Sequence, residues 1–112
     1  MIMKPLNQAT ALEIRYEKSI KCLLDLALDH SCERARVAAN VLLSANNAQI
    51  RPSTNWMLHI PDLCHLDQYS LDAALGVLHG RVSLNRYPEV AIQNGPQLFE
   101  RLWRRWHNVE EW

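Results

Sequence analysis

Between Gln8 and His30 the apolar residues Leu12, Tyr16, Ile20, Leu23, Leu24 and Ala27 return every three or four positions. That spacing lines one face of an α-helix and is incompatible with the two-residue alternation of a half-buried strand. Glu13, Glu17, Lys21, Asp25 and Asp29 fall on the other faces, and Glu17 stands one turn before Lys21, an order that favours a helix by a few tenths of a kcal/mol. A long helix with one apolar face must bury it against further elements, and the same period continues down the chain. Ser31 is expected to cap a second helix whose buried stripe is Val37, Ala38, Val41, Leu42 and Ala45. Leu66 followed by Asp67, with Leu71 four residues beyond the cap, gives a hydrophobic staple at the start of a third helix from about Gln68 to Leu84. The stripe expected there is Leu71, Ala74, Leu75, Leu78 and Val82, with Gly76 weakening the helix by under about 1 kcal/mol. Tyr87-Pro88 and Asn94-Gly95-Pro96 punctuate the next connection, and Pro96 suits the first position of a last helix.

The segment between the second and third helices is different. Asn46, Asn47, Pro52, Ser53 and Asn55 favour turns, and although Trp56, Leu58 and Ile60 alternate, Pro61 limits any strand, so the stretch reads as loop. The expected fold is all-α: one compact domain over residues 1–112, with four main helices and one long irregular loop at about 46–66. At 112 residues the chain has room for one hydrophobic core and not two.

Twelve Lys and Arg balance twelve Asp and Glu, so no overall field draws the protein to nucleic acid or to anionic lipid. The odd, scattered set Cys22, Cys32 and Cys64 makes no disulfide framework, and the cysteines read as small core hydrophobes. With no apolar leader pattern, a reducing cytoplasm is the expected location. Asp25 and Asp29 interrupt the most apolar segment, which falls short of the roughly 20 residues needed to span a bilayer.

The most suggestive motif is RLWRRW, residues 101–106, which interleaves arginine with tryptophan as a base-stacking surface would. On a helix advancing 100° per residue the interleaving becomes segregation. Leu98, Phe99, Leu102, Trp103, Trp106 and Val109 cover an arc of roughly 140°, and Arg101, Arg104 and Arg105 gather on the opposite side. The tryptophans are therefore expected in the core and the arginines in water. A helix-turn-helix reading of residues 36–52 would have Ser44 cap a recognition helix and Asn46 and Arg51 reach DNA. Leu42 stands where the tight turn wants glycine, Pro52 shortens the recognition helix, and only Arg36 and Arg51 are at hand for phosphates. Cys64-His65 with His59, and His30-Ser31-Cys32, lack the spacing that converges two ligands on one metal ion. No nucleophile, base and oxyanion donor can be assembled around Cys64. No cofactor is expected, and the chain reads as a non-enzyme. His79 and His107 read as partly exposed helix residues.

The order Arg36-Val37-Ala38, Leu42-Leu43, Asn47-Ala48, Leu63, Leu66-Asp67, Tyr87-Pro88, Gly95, Phe99-Glu100, Leu102 and Trp106 resembles a family of small helical bacterial proteins of unknown function. The family is carried largely on proteobacterial plasmids, integrative elements and prophages. The likeness spans about 70 residues, from the second helix to the end of the last. It departs from the family pattern at Ser44-Ala45, where aromatics are expected, and at Gln49-Ile50, where a Gly-Gly turn is expected. The resemblance implies no catalytic residues and points to an accessory protein of a mobile element. The expectation is a cytoplasmic, non-enzymatic module that binds a bacterial protein, as a regulator or as an inhibitor of host defence. The alternative is a small DNA-binding regulator using residues 36–51 or the Arg101, Arg104, Arg105 ridge. Nine arginines stand against three lysines, and all three lysines lie in the first 21 residues. Because binding surfaces favour arginine and aromatics over lysine, the loop from Asn47 to His59 is expected to present Arg51 and Trp56 to a partner, the alternative being that Trp56 and Leu58 fold back as a lid over the core.

Overall fold

Thr10 stops the first helix before it reaches the residues that periodicity alone would include. In the computed structural model, which describes residues 10–46 and 58–106, α1 spans Ala11–Asp29 and Thr10 is its extended N-cap. The Thr10 hydroxyl accepts the Glu13 amide at 3.1 Å, and the Glu13 carboxylate accepts the Thr10 amide at 3.1 Å. This reciprocal box satisfies two donors left over at the helix start and is worth about 1 kcal/mol. The start expected near Gln8 is thus corrected to Ala11. Tyr16, Ile20, Leu23, Leu24 and Ala27 are all buried, as the period requires, and Leu12 is half-buried.

Helix α2 runs from Glu33 to Ala45 with Cys32, not Ser31, at its N-cap and no side-chain capping bond. The Ser31 hydroxyl is turned elsewhere, accepting Arg105 Nη2 at 3.0 Å. The expected stripe of α2 is buried, and so are Ala35, Ala39 and Leu43, because α1, α3, α5 and a 3-10 helix surround it. That 3-10 helix, Ile60–His65, has Pro61 in its first turn and corrects the expectation of irregular chain as far as residue 66. Proline's fixed φ suits the start of a helical turn as well as it breaks a strand.

Helix α3 spans Gln68–Leu84, as expected, with the Asp67 carboxylate accepting the Ser70 amide at 3.2 Å. Leu66 is buried and Leu71 packs against the core, completing the staple. Asn85 closes the helix in the left-handed region at φ 49°, a conformation asparagine tolerates. Tyr87-Pro88 opens a short helix, α4, over Pro88–Ala91. Its second residue, Glu89, donates its amide to Asn46 Oδ1 at 3.0 Å while Asn46 Nδ2 donates to the Glu89 carboxylate at 3.2 Å. Helix α5 runs from Gly95 to Trp106, starting one residue before Pro96. Asn94 turns the chain at φ 60°, and a Cβ on Gly95 would overlap the Glu89 backbone, so only glycine lets α5 start so close to α4. The described residues therefore form five α-helices and one 3-10 helix with no strand. Two of these elements are short additions to the four longer helices. No helix among them is long and apolar enough to cross a membrane.

The orientation of α3 corrects the expected stripe at Leu75 and Val82, while Ala74 is buried and Leu71 and Leu78 pack against the core as expected. Its buried residues are Ser70, Ala73, Ala74, Gly76, Val77 and Gly80, whereas Leu75 is 45% and Val82 80% exposed. The cause is the close approach of α1. A Cβ on Gly76 would overlap the Ser19 side chain, and one on Gly80 would overlap the Tyr16 ring. Small residues on one face let two helices lie close and gain dispersion contacts along their length. The row of small side chains and Val77 takes the inner position, Leu71 and Leu78 lie at its margin against the core, and Leu75 and Val82 are turned outward.

Tyr16, packed against that glycine face, donates its hydroxyl to the Arg86 carbonyl at 2.5 Å. Burial pushes the Tyr16 hydroxyl up to about 12, partly opposed by the charges of Arg81 and Arg86. The folded pKa is raised, so the unfolded chain gives up this proton first, near its ordinary value of about 10. The contribution of the neutral phenol is fully present below that pH and is lost as pH rises toward 12. Urea midpoints should therefore fall more steeply between about pH 10 and 12 in the wild type than in Tyr16→Phe. Parallel slopes would show that Tyr16 plays no part.

Candidate functional site

The three arginines expected to form one ridge on α5 have three different situations. Arg101 is exposed. Arg104 is 73% exposed and pairs with Glu100 one turn earlier at 3.1 Å. Arg105 is tied to the end of α1: its Nε donates to the Ala27 carbonyl at 3.0 Å, and its Nη2 to the His30 carbonyl at 2.9 Å and to Ser31 Oγ at 3.0 Å. The indole Nε1 of buried Trp106 donates to the same Ala27 carbonyl at 2.8 Å. The carbonyls at the end of α1 carry partial negative charge and lack helical partners, which a guanidinium fork at this position supplies. All three arginines are exposed, as expected, but Arg105 also clamps α5 to α1, which the helical wheel does not show. Trp103 is half-buried and packs against the core, and Val109 lies outside the described residues. Arg105→Ala is expected to cost about 1 to 2 kcal/mol, a charged hydrogen-bond set reduced for its partial exposure. Arg104→Ala should cost under about 0.5 kcal/mol. Equal small losses in denaturation midpoints would remove the clamp assigned to Arg105.

Arg51 and Trp56 lie outside the described residues, as does the loop from Asn47 to Met57. At its α2 end the flanking helix is fastened. Arg81 Nε donates to the Ala45 carbonyl at 2.9 Å and its guanidinium lies 4.4 Å over the Tyr87 ring. Asn46 is committed to Glu89, so it is not free to reach a nucleic acid. Helix α2 also continues without a break through Leu42 and Ser44, where a helix-turn-helix would place its turn and second cap.

What the stripe reading missed is the outer side of α3. Leu71 and Leu78 are half-buried and Leu75 and Val82 exposed, in one continuous aliphatic row at intervals of four, three and four residues. Asp72 and His79 stand exposed along one flank; the other flank carries Arg81, which reaches α2. The signal was present in the sequence as Ala73, Gly76, Val77 and Gly80, a second set at helical spacing made mostly of small residues.

A polar group joins the start of α2 to the 3-10 helix and α3. Arg36 pairs with Glu33 and lies 3.5 Å from Asp62, His65 lies 3.8 Å from Glu33, and Arg34 lies 3.7 Å from Asp67. These are solvated pairs that fasten elements together more than they form a reaction centre. Among the described residues no three His, Cys, Asp or Glu side chains converge as metal ligands would. The cysteines correct their expectation as core residues: Cys32 and Cys64 are exposed and only Cys22 is partly covered. Cys32 heads α2, and the Ala35 amide, together with Arg34, holds its thiol below the ordinary range. Burial pushes the Cys22 thiol up. Because the thiolate is the nucleophile, brief alkylation should label Cys32 before Cys22. Peptide mass spectrometry showing Cys22 labelled first would contradict this placement.

A family model described as a family of unknown function (DUF7673) matches residues 17–107. No curated protein and no solved structure matches the chain. Of the residues that carry the family resemblance, Pro88, Phe99, Leu102 and Trp106 are buried, Gly95 lies against α4, and Arg36, Asp67 and Glu100 make the ion pairs and cap already described.

Proposed function

We propose that this chain, which belongs to the DUF7673 family, is a cytoplasmic, non-enzymatic protein-binding module, an accessory of a bacterial mobile element that regulates or inhibits a host system. The observation that carries the binding part of this reading is the outward aliphatic row of α3. Four aliphatic side chains on one rigid helix, with Val82 largely in water and Leu75 nearly half exposed, form the kind of contiguous apolar surface that isolated exposed residues do not. Arg51 and Trp56 of the Asn47–His59 loop, and exposed Arg101 on α5, are further proposed partner contacts, each a separate candidate beside the α3 row. The mobile-element setting rests on the family resemblance alone. The DNA-binding alternative has less in its favour: the chain is neutral overall, Asn46 and Arg105 are occupied within the fold, and Arg104 is paired with Glu100.

Affinity capture from bacterial lysate, with nuclease added, tests the reading. The wild type should retain a protein after nuclease treatment, and Leu75→Gln/Val82→Gln should release it while melting as the wild type does. Arg51→Ala and Trp56→Ala should each weaken capture with little change in stability. Capture that vanishes with nuclease would favour the DNA alternative.

A further inference from the structure

The α3 row has a self-complementary form. On a helix advancing 100° per residue, Leu71, Leu75, Leu78 and Val82 lie within about 60° of one another, and their four-three-four spacing is that of the seam of a coiled coil. Read from either end, the row is nearly the same: a large aliphatic at each end and two leucines between. One flank is closed, because Arg81 there extends to the Ala45 carbonyl and α2 lies alongside. The other flank is open and carries Asp72 and His79, both exposed and seven residues apart, hence at the same height within successive heptads.

We propose that two copies of this chain pair through α3 in an antiparallel arrangement, a proposal that rests on the reading of the row as a protein-binding surface and names the occupant. In that arrangement Leu75 of one copy meets Leu78 of the other, and Leu71 meets Val82. Antiparallel packing sets like flanks together, so Asp72 of each copy faces His79 of the other. The carboxylate accepts and the imidazole donates in either of its protonation states. The twofold makes the contact isologous and closed, so association ends at the dimer. Four aliphatic residues per copy make a small contact, under about 1,200 Å² in total, which belongs with reversible, micromolar association and not with an obligate dimer.

Sedimentation equilibrium of the full chain between roughly 1 and 100 µM, the range a small contact implies, tests this. The average mass should rise from the 13.0 kDa of one chain toward twice that value. Leu75→Gln/Val82→Gln should stay at the single-chain mass throughout. Asp72→Lys should weaken association about tenfold, and Asp72→Lys/His79→Glu should restore it. A single-chain mass at every concentration overturns the proposal, as does association that the row variant retains or a double exchange that fails to restore. Where the wild type is monomeric yet captures a lysate protein that the row variant releases, the protein-binding reading stands and only the second copy as occupant is lost. Where capture fails as well, both are lost.

Discussion

Gly80→Ala is expected to destabilise the protein by about 2 to 3 kcal/mol, although the same substitution in an ordinary helix stabilises by about 0.5 to 1 kcal/mol. The reversal follows from the Tyr16 ring, which occupies the space an alanine methyl would need. Tyr16 has little room to yield, being buried and tied through its hydroxyl to Arg86. The methyl must therefore push α1 and α3 apart, loosening contacts along both helices. At about 5 °C per kcal/mol for a domain near this size, the melting temperature should fall by about 10 °C or more. A melting temperature equal to or above that of the wild type would mean that α1 and α3 are not in close contact here.

Trp106→Ala is expected to have the larger effect, about 3 to 5 kcal/mol. Trp106 is 6% exposed and stands in the last described turn of α5, its indole N–H on the Ala27 carbonyl. Truncation removes the side chain that seals α5 against α1 and leaves a cavity the neighbouring helices only partly fill. Domains of this size have a total stability of about 5 to 15 kcal/mol, so the variant should be largely unfolded near physiological temperature or melt far below the wild type. Circular dichroism in parallel with Arg104→Ala gives the comparison, and equal melting temperatures would overturn the assignment of the two faces of α5.

Both predictions concern features the sequence disclosed unevenly. The period of α1 and α2 identifies their buried residues because only one row of large apolar side chains is available on α1, and α2 is enclosed on nearly every side. Helix α5 is legible for a similar reason, with Phe99, Leu102 and Trp106 on one side. Arg105 is the exception, since the carbonyls that hold it come from residues 75 to 78 positions away. Helix α3 offers two rows at helical spacing, one of leucine and valine and one of glycine, alanine and valine. Hydrophobicity favours the first; the closeness of α1 decides for the second. The cap of α1 has the pattern Thr10-x-x-Glu13, which a reading from periodicity alone passes over in favour of a start near Gln8, and the cap of α2 is hidden because Ser31 is a better acceptor than Cys32 and is used by α5. The outward row of α3 followed only once the inner face was known, and the proposed contributions of Arg51 and Trp56 concern residues beyond those the structure describes.

The packing of α1 against α3 and the outward position of Leu75 and Val82 both depend on which face of α3 is buried. Urea denaturation of Leu75→Gln/Val82→Gln, followed by circular dichroism at or below about 1 µM to keep self-association negligible at the affinity expected of so small a contact, isolates that question. The midpoint shift should be equivalent to about 1 kcal/mol or less, two exposed substitutions at up to about 0.5 kcal/mol each. A loss of about 3 kcal/mol or more, as buried leucine and valine would give, would contradict that outward position.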